Sequence, residues 1–197
     1  MEESKITIKS MTDYKNSIHQ EVCSIFIDSY YNQLKAITNS KETLNHLFVS
    51  TFQEEFFYVA ELDHEIVGIL ACTTNKRRAM MITKATFQKN LGLIKGFLFY
   101  FFLKSDFNNE LPYPSDIGYI ECVATKPSAR GKGIATTLLR EVIKLLPLKH
   151  YCLEVVDTNK TALQIYQKLG FYETHRKKTR FPKIKGFHEK IYMEFKK

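Results

Sequence analysis

The sequence predicts a mixed α/β (α+β) domain, and three patterns carry that reading. Short β-rich runs alternate with amphipathic stretches at helical spacing, and Gly and Pro punctuate the joints between them. No internal repeat or low-complexity linker divides the chain. At 197 residues it fits one domain, since domains commonly run to roughly 100–200 residues. Hydrophobic residues at 44% and charged residues at 25% sit near globular averages, which excludes a disordered, collagen-like or small disulfide-stapled chain.

Residues 5–10 (KITIKS) alternate as a strand does. Residues 13–37 read as a helix with Asp13 as N-cap, because Val22, Ile25, Phe26, Ser29 and Tyr30 recur at three- and four-residue steps. A second helix covers 41–53, with Leu44, Leu47 and Phe48 on one side. Two β-rich runs, 56–62 and 66–73, flank Asp63-His64-Glu65 and form a hairpin.

Residues 75–110 break this rhythm and read as one or two helices inserted between strands. They open with Lys76, Arg77 and Arg78, then turn apolar through 91–103 (LGLIKGFLFYFFL). That run is too short to span a bilayer, which takes about 20 apolar residues, and Lys95 interrupts it. A buried or interface helix is the favoured reading, and membrane association is the alternative. Its aromatics (Phe97, Phe99, Tyr100, Phe101, Phe102) suit core, a homodimer interface or the roof of a pocket.

From 116 the order becomes strand (117–125), helix (133–146), strand (151–156), helix (161–169) and a closing antiparallel pair (171–174 and 190–195). Ile134, Leu138, Val142 and Leu145 mark the buried side of the first of these helices, and Pro147 ends it. Gly170 stops the second, since glycine accepts positive φ without a Cβ clash.

The formal charge of +8 favours anionic ligands. Residues 173–197 form a basic C-terminal strand region with nine Lys/Arg and three acids, or 9 − 3 = +6. It is a solvated surface or a site for phosphate, an acidic acceptor or nucleic acid. No RNP signature or zinc finger is visible, so nucleic acid is not expected. Cys23, Cys72, Cys122 and Cys152 lie in apolar stretches without a C-x-x-C pair, which predicts buried free thiols and a reducing, cytoplasmic setting. Residues 1–10 show no secretory h-region. The histidines form no H-E-x-x-H, so no metal site is expected.

The chemistry concentrates at 127–135 (PSARGKGIA), between a β-rich run and an amphipathic helix. Two glycines at a helix start let the backbone approach a ligand, and the free N–H groups of the first turn favour an anion. A Walker loop fails here, because Lys132 lies between the glycines. The dinucleotide fingerprint G-x-G-x-x-G fails because position 136 is Thr. A plain strand-to-helix turn is the other local reading.

Here a resemblance becomes specific. Arg130-Gly131-Lys132-Gly133-Ile134-Ala135 resembles the (R or Q)-x-x-G-x-(G or A) acyl-CoA loop of the GNAT N-acetyltransferase superfamily. Val123-Ala-Thr-Lys-Pro127 resembles that family's strand into the loop, and Asn159, Ala162, Tyr166, Lys168, Gly170 and Phe171 match its N-x-x-A-x-x-x-Y-x-K-x-G-F segment. The resemblance implies a mostly antiparallel sheet flanked by helices, with 75–110 a helical insertion between the hairpin and the strand preceding the loop.

It also implies an acetyl-CoA-dependent N-acetyltransferase acting on a primary amine of a small molecule or peptide. A catalytically silent CoA-binding sensor of the same fold is the alternative. Backbone amides of Arg130 to Ala135 would hold the pyrophosphate, and those of Val123 and Thr125 the pantetheine arm or acetyl carbonyl. Thr125 departs from the aliphatic residue usual there. Tyr166 would protonate the leaving thiolate, or else be a packed core tyrosine. Asn159 would contact the CoA arm, cap a helix, or both. Glu121 is the candidate base, on one face with Val123 unless a bulge intervenes. Its other readings are an ammonium anchor or a surface carboxylate. Asp116 and Glu154 are weaker candidates.

Overall fold

In a computed structural model, which describes residues 6–197 apart from the side chain of Ile184, a seven-stranded sheet carries helices on both faces. The strand order is β1-β2-β3-β4-β5-β7-β6, and only the β4–β5 pair is parallel.

β1 (Thr7–Ser10) starts the edge, and Lys5 of the predicted strand lies outside the described residues. Asp13 does not cap the first helix. It closes a 3-10 turn with Ser10: its carboxylate accepts from the Ser10 amide at 2.9 Å, and Ser10 Oγ accepts from Thr12 N–H. The helix α1 therefore begins later and ends earlier than the pattern suggested, at His19–Leu34. The helix α2 (Lys41–Phe48) is capped by Ser40 Oγ accepting from Thr43 N–H, and it stops five residues short of the predicted end. The cause is tertiary: residues 51–53 leave the helix to pair with 79–81, through Met81 N–H to Thr51 O and Gln53 N–H to Ala79 O.

β2 (Phe57–Leu62) and β3 (Glu65–Thr73) form the predicted hairpin on a two-residue turn. Asp63 and His64 both take positive φ there (51° and 65°), as a type I′ turn requires. The insertion is a helical hairpin of α3 (Lys84–Leu91) and α4 (Leu93–Phe107), turned at Gly92. Gly96 lets the two helices touch, since a Cβ there would lie 2.4 Å from the Phe87 carbonyl oxygen.

β4 (Ile117–Thr125), α5 (Ile134–Leu145), β5 (His150–Val156) and α6 (Lys160–Lys168) follow as predicted within a few residues. Leu145 is a correction: it is exposed, and Leu139 and Ile143 join Ile134, Leu138 and Val142 on the buried side instead. β6 (Tyr172–Lys178) and β7 (Glu189–Lys196) close the sheet, with the four-residue α7 (Pro182–Lys185) between them. β6 is the edge, exposed along its length, and its charges guard it from further pairing.

The sheet separates two cores. Val22, Phe26, Phe48 and Phe87 pack under the helices preceding β4, and Leu138, Val142, Tyr166 and Phe171 pack under α5 and α6. Cys23, Cys72 and Cys152 are buried free thiols and Cys122 is half-buried.

Candidate active site

β4 and β5 stay paired only from Ile117↔His150 to Ile120↔Leu153. Beyond that point the strands part. Between the pairs Ala71↔Glu121 and Ile69↔Ala124, β4 spends three steps against two on β3, so it carries one extra residue. Cys122 takes the strain of this bulge, with φ of 56°. The bulge overturns the expectation that Glu121 and Val123 share a face. Glu121 turns toward the insertion, whereas Val123 packs with the α5–α6 core.

The bulge and splay leave β4 backbone groups without a strand partner on one side. Lys126 N–H donates to Val67 O on β3, so strand alternation directs the Thr125 N–H away from β3 and into the opening. The Val123 carbonyl accepts from Tyr30 Oη of α1 at 3.4 Å.

At the end of β4, Pro127–Ala129 form a 3-10 turn, and Gly131 and Gly133 then take positive φ (78° and 77°). Gly133 is the N-cap of α5 and supplies no side chain to the helix end, and no acid sits in the first turn. The N–H groups opening that turn are thus free for an anion. A Cβ at either glycine would meet nothing within 4 Å, so the glycines serve backbone conformation beside open space. Gly68 on β3 serves a close approach instead: a Cβ there would lie 2.5 Å from Ile134 Cγ2, so its absence seats α5 against the sheet. Arg130 and Lys132 are exposed and form no ion pair among the described residues. A loop of this shape, next to a splayed strand pair, fits a pyrophosphate with an extended arm.

Tyr166 lies on α6, buried against Phe171 at 6.0 Å between ring centroids. Burial pushes its phenol pKa up, which keeps it protonated at neutral pH. Asn159 caps α6, its Oδ1 accepting from Ala162 N–H at 3.1 Å.

On the insertion side, Glu121 is held at both oxygens. Oε2 accepts from Arg78 at 2.9 Å and Oε1 from the Ala79 amide at 3.2 Å. Arg78 also donates to the carbonyls of Asp106 and Asn109. Burial pulls the Arg78 pKa down, and Glu121 outweighs it and holds the value above its ordinary one. A second charge cluster runs from the Asp106 carboxylate to Lys185 (3.0 Å) and Lys190 (3.5 Å), and from Lys190 to Glu154 at 2.6 Å. Burial penalises the Asp106 carboxylate, but Lys190 and Lys185 together hold its pKa below the usual range.

Nearby in the fold, Ser29 Oγ, Gln33 Oε1, Thr73 Oγ1, Asn75 Oδ1 and Arg78 Nε are buried without a protein partner. Asp116 is exposed, apart from these clusters. Sequence reasoning missed Tyr30, Arg78, Asp106, Lys185 and Lys190, and only the basic opening of the insertion hinted at Arg78. The aromatic stripe divides. Phe99 and Tyr100 pack on the α1–α3 core and Phe102 meets Phe181, while Phe97 and Phe101 are exposed. Among the described residues, no group of three or more His, Cys, Asp or Glu is placed to hold a metal.

A splayed β4–β5 pair, a bulge at the splay and a glycine-capped helix at its mouth define an acyl-CoA transferase architecture. The chain belongs to the acetyltransferase (GNAT) family, whose model matches residues 19–171. Solved structures agree on the fold. An N-acetyltransferase from Staphylococcus aureus Mu50 superposes with a TM-score of 0.62 at 17% identity, covering 96% of this chain and 100% of that one. The ribosomal-protein-S18-alanine N-acetyltransferase of Escherichia coli gives 0.57 at 15% identity, with 98% and 94% covered. An IAA acetyltransferase from Bacillus cereus gives 0.55 at 14% identity, with 98% and 100% covered. No curated protein matches the sequence. Family and fold together support acetyl transfer as the general chemistry.

Proposed function

We propose that the protein is an acetyl-CoA-dependent N-acetyltransferase that acetylates a primary amine of a small molecule or peptide in a ternary complex. The observation that carries this reading is the β4–β5 splay, with the bulge at Cys122 on one strand, Tyr166 buried beside it and the uncapped start of α5 at its mouth. Acetyl-CoA lies along the splay, its pyrophosphate on the amides of Arg130 to Ala135 and its arm on those of Val123 and Thr125, with Asn159 beside the arm.

The amine nitrogen attacks the thioester carbonyl carbon, and a β4 amide stabilises the oxyanion. The C–S bond breaks, and the sulfur takes a proton from Tyr166. The proton lost by the amine passes to Glu121 through a water, because Arg78 and Ala79 already hold both carboxylate oxygens. Each oxygen keeps a second lone pair for that water. The acceptor enters from the insertion side, where Arg78 meets Glu121. The buried free thiols suit action in the cytoplasm.

The test is release of CoA thiol from acetyl-CoA across a panel of small amines and peptide N-termini. Thiol release that depends on the amine and falls in Tyr166→Phe supports the reading. Acetyl-CoA binding without turnover on any amine would move the chain to the silent-sensor alternative.

A further inference from the structure

We propose that the outer face of α4 docks the protein on an anionic phospholipid surface, independently of what the acyl-CoA site does. A helix that is apolar all round belongs inside a core, yet only half of α4 is covered. Gly96, Phe99, Leu103 and Phe107 face the protein. Leu93, Ile94, Phe97, Leu98 and Phe101 face outward on one side of the helix, exposed by between 43% (Phe97) and 79% (Ile94). Phe97 and Phe101 stack on each other rather than on the core, and Phe102 extends the strip to the exposed Phe181.

Charge selects the occupant. No Asp or Glu occurs between Glu65 and Asp106, whereas Lys84, Lys89, Lys95 and Lys104 are exposed on the two insertion helices. The Lys84 ammonium lies 4.9 Å from the Phe97 ring, directly beside the apolar face. Arg180 and Lys183 flank Phe181 at the far end. Asp106 is engaged inward by Lys185 and Lys190. A second copy docked on this face would bring like-charged lysine rims together, which disfavours self-association. An anionic bilayer meets both features, taking the aliphatic and aromatic side chains below the headgroups and the lysines among them. Among the described residues no helix is long and apolar enough to cross a membrane, so the helix lies in the interface plane.

The chain has no tryptophan, which makes Phe101→Trp a clean reporter. Mixed with phosphatidylcholine vesicles containing phosphatidylglycerol, this variant should show a blue-shifted emission and sediment with the lipid. Binding should be lost with pure phosphatidylcholine and fall about tenfold or more as NaCl rises from about 0.1 to about 0.5 M. Leu98→Glu and the double variant Lys84→Glu/Lys104→Glu should each stop sedimentation while binding acetyl-CoA as the parent does. No binding to anionic vesicles, or binding that Leu98→Glu retains, overturns the proposal. So does a dimer in sedimentation velocity that Leu98→Glu converts to monomer in a chain that ignores vesicles, since the face then belongs to a second copy.

Discussion

The proposed donor side and the proposed acceptor side of this site are built from different materials. On the donor side, the 127–135 loop and β4 present backbone: two glycines at positive φ, an uncapped helix start and strand amides turned into a splay. On the acceptor side, side chains from four distant segments are tied by charge, Arg78 to Glu121 and Asp106 to Lys185 and Lys190, with Glu154 at the end. Backbone recognition is indifferent to side-chain identity and suits a ligand whose shape never changes. An ion-pair frame depends on every partner, and it suits a wall that differs from one acceptor to another. The two halves should therefore fail differently when mutated.

The largest effect belongs to the chemistry between the halves. Tyr166→Phe should lower kcat about 10²-fold or more, the usual scale for a lost general acid, while the acetyl-CoA Kd stays within about twofold. Steady-state kinetics with matched calorimetry check it, and an equal loss in Kd would return Tyr166 to the core. Because burial holds the phenol above its ordinary value of 10.0, no loss of activity below pH 10 should trace to its ionisation.

Next in size is the acceptor frame. Arg78→Ala strands Glu121 in a nearly buried place, so folding free energy should drop by about 3 kcal/mol in urea denaturation. Arg78→Met/Glu121→Leu should recover part of that stability and none of the activity. If the double variant is less stable than Arg78→Ala, the pair contributes more than the relief of an unpaired charge.

The donor loop comes third. Gly131→Ala/Gly133→Ala forces two side chains into left-handed backbone at roughly 1 kcal/mol each, so acetyl-CoA should bind about tenfold or more weakly. The acceptor KM should not move.

The smallest effect is pH-dependent. Asp106→Asn should cost about 1–2 kcal/mol at pH 7, allowing for partial solvent exposure. The folded-state pKa of Asp106 is depressed, so its contribution is complete above the ordinary value of 3.8 and disappears as pH falls through the lower folded value. The gap between parent and variant should narrow as pH falls below 3.8, and a gap that does not narrow would assign the cost to packing.

The same division explains what the sequence made legible. Gly131 and Gly133 announce a loop because their requirement is local, and Tyr166 and Asn159 follow at fixed spacing on one helix. The bulge leaves no such mark: Cys122 is neither Gly nor Asn, yet it takes φ of 56°. The sequence offers Glu121 as a candidate, but its partner Arg78 lies 43 positions away and no periodicity links them. Local signals also competed. Ser10 and Asp13 satisfy each other in a 3-10 turn, so Asp13 was unavailable to α1, and pairing between 51–53 and 79–81 shortened α2.

The most direct test of the division is calorimetric titration of acetyl-CoA into three proteins: the parent chain, Gly131→Ala/Gly133→Ala and Asp106→Asn. A donor site made of backbone predicts binding by the parent, about tenfold or weaker binding by the glycine variant and parental affinity for Asp106→Asn. Parental affinity in the folded glycine variant, or no binding by the parent, would contradict it.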